Sequence, residues 1–255
     1  MKIGCCSSIE NAGLLKEAGF DYIECTVVSL APEESDEAFA PILARHQNSP
    51  LPTPVLCIFL PGDLKVVGPD VDWLRVEKYV HTALARAKQI GVAIIVFGSG
   101  RSRSIPVGFG RDEAWAQLVR FLQIAADAAD ANEITIVIEP LNTKESNVLN
   151  SVAEGVKLAQ EVNRSSIRVL ADFYHMDEEN EPLDHLLQYA DWLEHIHVAD
   201  TGRRAPGTGR YPYAEFVEKL TNSGYDGLVS IECRWEDLAA EAGPAAQFLR
   251  AILPG

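Results

Sequence analysis

The chain has 255 residues, an apolar content of 47% and a net charge of −15. This length suits one large domain, since α/β barrels run to ~250 residues, and no apolar run approaches the ~20 residues of a membrane helix. The acidic balance argues against nucleic acid as a partner, because phosphate binding needs a basic face. Five cysteines (Cys5, Cys6, Cys25, Cys57 and Cys233) are an odd number, and four sit in apolar runs. Reduced thiols in a cytoplasmic protein are expected rather than a disulfide framework. Met1 leads directly into KIGCC without a charged and then apolar leader, so no signal peptide is expected.

A strand-like run followed by a helix-like run recurs eight times. Lys2–Cys6 comes first, and Gly19 closes a helix ahead of the second run, Tyr22–Val28. Val55–Leu60 is the third. Trp73, Val76, Val80, Leu84 and Ala87 then draw one helical stripe, closed by Gly91 before Ile94–Phe97. A second stripe, Trp115, Leu118, Val119, Leu122, Ala126 and Ala129, precedes Thr135–Glu139. Arg168–Asp172 and Leu193–Val198 follow, and Gly224 stands before Leu228–Glu232. Short runs rich in Val and Ile are what strands buried on both faces require. Eight alternating units predict a single-domain (β/α)₈ TIM barrel over residues 1–255. An open doubly wound sheet ranks below it, because CCSSIENAG after the first strand is not a glycine-rich dinucleotide turn.

In such a barrel, chemistry belongs at the carboxyl ends of the strands. Strand 5 ends in Glu139. Strand 6 ends in Asp172, with His175 three residues on. Strand 7 carries His195 and His197 on one face, and strand 8 ends in Glu232. Each of these alone has a structural explanation: a paired glutamate, a core histidine, or Asp172 capping the next helix. Together, on four consecutive strands, three carboxylates would repel one another without a cation. Hard oxygen ligands with one imidazole suit Mn²⁺, Mg²⁺ or Co²⁺ better than a closed zinc site.

The runs IEPLNTKE, ADFYHM, HIHVADTGRRAPGTGR and SIEC resemble the xylose-isomerase-like sugar isomerase/epimerase superfamily, nearest to ketose 3-epimerases and hydroxypyruvate-isomerase-like proteins. The likeness covers the whole chain, with motifs in the second half and layout alone in the first. It implies Glu139, Asp172, His197 and Glu232 as ligands of one divalent metal, with Glu139 and Glu232 also the catalytic acid/base pair. It further implies that Glu145, His175 and Arg203 bind substrate, and it gives His195 no role beyond structure. Cys6, Glu24, Phe59 and Trp115 are wall candidates among which the sequence does not choose.

The implied reaction is isomerisation or epimerisation of a small keto sugar or sugar derivative. The metal polarises a carbonyl and stabilises an enediolate, while two opposed glutamates move the proton. A dehydratase of a keto-inositol or dehydroshikimate-like substrate would begin with the same step. A non-catalytic sugar-binding accessory subunit is a further alternative. A repair endonuclease of this barrel needs added histidines near strands 3 and 4, where the chain reads CIFLPG and VFGSG. Arginines gather in two presumed loops: Arg101, Arg103 and Arg111, then Arg203, Arg204 and Arg210. They either form a basic rim that draws in an anionic substrate, or pair with surface carboxylates or a second subunit of a homo-oligomer.

Overall fold

Eight short strands close into a barrel in the order of the chain, every neighbour parallel: β1 (Lys2–Cys6), β2 (Tyr22–Thr26), β3 (Val55–Cys57), β4 (Ile94–Phe97), β5 (Thr135–Ile138), β6 (Ile167–Asp172), β7 (Leu193–Val198) and β8 (Leu228–Ile231). The last strand returns to the first, with Lys2 opposite Leu228 and Cys5 opposite Ile231. The computed structural model describes residues 1–254. Among the described residues, nine helices connect the strands, α1 (Ala12–Glu17), α2 (Asp36–Gln47), α3 (Trp73–Gln89), α4 (Gly100–Arg103), α5 (Arg111–Asn132), α6 (Val152–Val162), α7 (Phe173–Glu178), α8 (His185–Gln188) and α9 (Tyr213–Asn222), and α10 (Leu238–Ile252) follows β8. No described helix is long and apolar enough to cross a membrane, and the five cysteines are free.

Alternation along each strand splits the core in two. Tyr22, Val55, Cys57, Ile94, Val96, Val137 and Leu170 pack together inside the barrel. Ile95, Phe97, Ile136, Ile138, Val169, Ala171, Ile196 and Val198 face the helices instead. There the stripes of α3 and α5 bury Val76, Val80, Leu84, Leu118 and Leu122, each side chain contributing ~1.5–3 kcal/mol of transfer free energy. Phe121 of α5 seals this layer, its ring 4.8 Å from that of Phe97 and 5.8 Å from that of Phe59.

The alternation also decides what the barrel mouth presents. With Val137 and Leu170 inward, Glu139 and Asp172 two residues on must face inward too. The same parity turns His195 and His197 of β7 and Ser230 of β8 to the inside, followed by Glu232. Glu139 and Glu232 lie one residue beyond β5 and β8, yet stay in register: their N–H groups donate to Phe97 O at 3.3 Å and Val198 O at 3.0 Å.

Two strands are shorter than their apolar runs predict. β2 stops at Thr26, whose Oγ1 accepts the Ser29 N–H at 3.1 Å and turns Val27–Leu30 into a 3₁₀ turn. β3 stops at Cys57 because Ile58 takes φ +46°, a left-handed backbone that breaks the pleat.

Candidate metal centre

One donor atom each from Glu139, Asp172, His197 and Glu232 comes together, all within 4.8 Å of one another. The register explains the meeting: Asp172 lies opposite His197 across β6 and β7, and His197 lies opposite Ser230, two residues before Glu232. Space for Glu139 comes from Gly98, just past β4. A Cβ there would sit 1.6 Å from Glu139 Oε2 and 2.8 Å from its Cδ.

His197 is held by its far side. Its Nε2 donates to Glu24 Oε1 at 3.0 Å, and Glu24 Oε2 accepts from His195 Nε2 at 2.9 Å and from the Ser230 hydroxyl. Ser230 in turn pairs with Tyr22, whose ring fills the room left by Gly4. With the proton on Nε2, the Nδ1 lone pair faces Glu139 Oε1 at 3.3 Å and Glu232 Oε2 at 3.4 Å. A lone pair aimed at two carboxylates is repulsive unless a proton or a metal ion lies between them; burial opposes a charged ring, but Glu24, Glu139 and Glu232 raise the His197 pKa well above the usual imidazole range.

Asp172 divides its two oxygens. Oδ1 caps α7, accepting the N–H groups of Tyr174 at 2.7 Å and His175 at 3.3 Å. Oδ2 is left buried without a hydrogen-bond partner, as are Glu139 Oε1 and His197 Nδ1. Three converging orphaned atoms among hard donors fit a divalent cation.

The electrostatics separate the two glutamates. Burial, then the charge of Glu232, raises the Glu139 pKa above the usual carboxylate range. Burial would raise Glu232 as well, but His197 and Arg203 outweigh it and lower it to about 2. Burial likewise opposes the ionisation of Glu24, yet the two histidines beside it hold it low and ionised.

Arg203 sits on the β7–α9 loop at φ +60°. It donates to Glu145 Oε1 at 3.0 Å and to Glu232 Oε2 at 2.6 Å. Asn142 N–H donates to His175 Nδ1 at 3.1 Å, which places the ring proton on Nε2, 3.8 Å from Asp172 Oδ2. A cavity of about 490 Å³ is lined by Glu139, Glu145, Arg203, Glu232, Arg101 and Arg234, while Asp172, His175 and His197 are buried and do not line it.

Residues 12–252 match the family model of the xylose isomerase-like TIM barrel. The chain belongs to this family. It is 28% identical to the L-ribulose 3-epimerase of Methylomonas sp. over an alignment of 257 positions, which covers 91% of the chain and 87% of that protein. It is 31% identical to the D-psicose 3-epimerase of Ruminiclostridium cellulolyticum over 119 residues, which span 46% of the chain and 41% of that protein. Among solved structures, the D-psicose 3-epimerase of Clostridium cellulolyticum H10 with D-tagatose superposes with a TM-score of 0.88 at 23% identity, covering 100% of both chains. The expected barrel and the expected isomerase or epimerase kinship both agree with these findings.

Within this family frame, several predicted residues sit elsewhere than expected. Arg103 is not on a rim: α4 turns it inward, where it is fully buried and donates to Phe97 O at 2.7 Å and Glu139 O at 2.6 Å. It secures the ends of β4 and β5. Arg111 donates to Asn147 O at 3.1 Å, Arg204 to Thr201 O at 3.3 Å. Of the six loop arginines, Arg101 and Arg203 line the cavity. Phe59 is a core residue whose carbonyl accepts from Tyr79, and Trp115 donates to Glu161 Oε2 on the outer layer of helices. Three functional groups escaped the sequence reading. Gly98 has no sequence signal of its own. Arg234 stands two residues after Glu232. Asp200 ties the β7–α9 loop by accepting from Thr201, Gly207 and Tyr211 N–H groups; its sequence signal is a carboxylate just past β7.

Proposed function

We propose that the protein is a divalent-metal-dependent epimerase or isomerase of a keto sugar. The observation that carries this is the pair Glu139 and Glu232, whose carboxylates lie 3.3 and 3.4 Å from His197 Nδ1 and line one cavity. The named activities of the relatives, epimerisation of psicose and ribulose at C3, support the same reading.

Glu139, Asp172, His197 and Glu232 would hold the ion, and Mn²⁺, Mg²⁺ or Co²⁺ suits their hard donors. When bound, the ion polarises the carbonyl beside the reacting carbon. One of the two glutamates, Glu139 and Glu232, removes the carbon-bound proton, and the other returns one to the planar enediolate. His175 Nε2–H and Arg203 donate to substrate oxygens, and Glu145 orients Arg203 while accepting from a substrate hydroxyl. Because Arg101 and Arg234 also line the cavity, a carboxylated or phosphorylated ketose is the anionic form of this substrate class. Its turnover falls with ionic strength, since exposed charges are screened over ~10 Å at 0.1 M salt.

The test is a panel of ketoses, ketose phosphates and keto-inositols in D₂O with Mn²⁺, read by deuterium incorporation and product identity. Deuterium beside the carbonyl, with an epimer or isomer as product, is expected. Loss of water identifies a dehydratase, and binding without exchange identifies an accessory sugar binder; either overturns the proposal.

A further inference from the structure

Four of the five cysteines gather at one place. Cys6, Cys25, Cys57 and Cys233 line a cavity of about 410 Å³ over the carboxyl ends of β1, β2 and β3. It adjoins the 490 Å³ cavity, with Cys57 and Glu232 on the shared border. Proton transfer between two glutamates gives none of these thiols a task.

The register brings two of them together. Cys6 lies opposite Glu24, Glu24 lies opposite Val55, and Cys57 follows Val55 by two residues. All share the inward parity, so Cys6, Glu24 and Cys57 converge inside the barrel. One sulfur or oxygen atom from each lies within 4.8 Å of those from the other two.

The two sulfurs cannot bond to each other. β2 stands between β1 and β3. At ~4.8 Å per strand spacing those two backbones are ~9 Å apart, beyond the ~7 Å that a disulfide spans between Cα atoms. An ion spans the gap instead: two Zn–S bonds of ~2.3 Å at a tetrahedral angle set their sulfurs ~3.8 Å apart.

Glu24 supplies the third donor. Its Oε2 accepts from His195 and Ser230, whereas its Oε1 accepts one bond, from His197, and keeps a lone pair. Two thiolates and a carboxylate form a soft set that favours zinc-class ions over Mn²⁺ or Mg²⁺. Burial pushes the Cys6 thiol well above its ordinary pKa. Coordination overrides this, because a thiol on a divalent ion loses its proton to solvent outright. The four-ligand centre has no sulfur among its donors, yet Cys6 also comes within 4.8 Å of donors on His197 and Glu232. Two sets of opposite preference therefore stand side by side.

We propose that Cys6, Cys57 and Glu24 form a second cation site, selective for a thiophilic divalent ion of the zinc class, beside the hard-ligand centre.

The experiment adds Cd²⁺, a spectroscopic substitute for Zn²⁺, to the Mn²⁺-loaded protein, with the thiols kept reduced by a phosphine. Thiolate-to-cadmium charge-transfer absorption reports sulfur ligation, X-ray absorption at the cadmium edge counts the sulfurs, and electron paramagnetic resonance follows the Mn²⁺. The wild type should bind one Cd²⁺ per chain through two sulfurs while the Mn²⁺ stays bound. Cys6→Ala and Cys57→Ala, with folds checked by circular dichroism and melting, should each weaken Cd²⁺ binding by at least the ~10–100-fold that loss of an outer partner costs a metal site. Both should leave Mn²⁺ affinity unchanged, and Cys233→Ala should alter neither ion. Cd²⁺ that enters only by expelling Mn²⁺ overturns the inference, as does a cadmium shell with one sulfur or none. Tight Cd²⁺ binding that survives both alanine variants, or an equal loss in Cys233→Ala, overturns it too. The sulfur count on the wild type decides the matter even where an alanine variant does not fold.

Discussion

Gly98→Ala is the sharpest small perturbation of the site. The added methyl would lie 1.6 Å from Glu139 Oε2 and 3.5 Å from its Cβ, so the carboxylate must swing out of the centre. It is the far end of a flexible side chain, so the metal-free fold should lose little. Metal affinity should fall by at least the ~100-fold that loss of even an outer partner can cost. At a metal concentration ~100 times the wild-type Kd, binding stabilises the wild type by ~2.7 kcal/mol. The variant, then near its own Kd, gains ~0.4 kcal/mol. For a chain of this size ~1 kcal/mol moves Tm by ~2–4 °C. The Mn²⁺-dependent rise in Tm should therefore shrink from ~5–11 °C to ~1–2 °C, with the metal-free Tm nearly unchanged. Scanning fluorimetry with and without Mn²⁺ reads this directly. A full Mn²⁺ shift in Gly98→Ala would refute the assignment of Glu139 as a ligand.

Other outcomes follow from the same geometry. Glu139→Gln and Glu232→Gln should keep the fold and each lose ~10²–10⁴-fold or more in solvent-exchange rate; near-normal exchange in either removes that residue from the proton path. Glu24→Gln removes the negative charge, and one of the two acceptor oxygens, that hold His195 and His197 and should weaken Mn²⁺ binding ~10–100-fold by calorimetry, with unchanged affinity counting against the role of Glu24. Arg103→Met leaves the buried carbonyls of Phe97 and Glu139 unpaired, at ~1–3 kcal/mol each, and should lower Tm by several degrees. Arg101→Gln, a surface change of within ~0.5 kcal/mol, should not; equal Tm values for the two variants would contradict the buried placement of Arg103.

The barrel was legible because strands buried on both faces leave short apolar runs, and because Gly91 and Gly224 close their helices at φ +83° and +78°. The clustering of Glu139, Asp172, His197 and Glu232 was legible for a related reason: a carboxylate ending an apolar strand at the inward parity has few places to point. Glu24 carries the same signal inside YIEC, a charge on a buried strand, but the partner that explains it, His197, is 173 residues away. Arg103 misled because a loop arginine reads as a solvent-facing charge. Only the turn of α4 shows that it lies across the ends of two strands. Gly98 and Ile58 act through space left free and through a backbone angle, and neither leaves a pattern of residue types.

The central claim is that one ion sits among Glu139, Asp172, His197 and Glu232. Anomalous diffraction at the manganese edge from crystals grown with Mn²⁺ tests it most directly. The account predicts a single strong peak at the barrel mouth, bound by His197 through Nδ1, with Nε2 still on Glu24. No peak among these four side chains, or a peak bound through His197 Nε2, would contradict it.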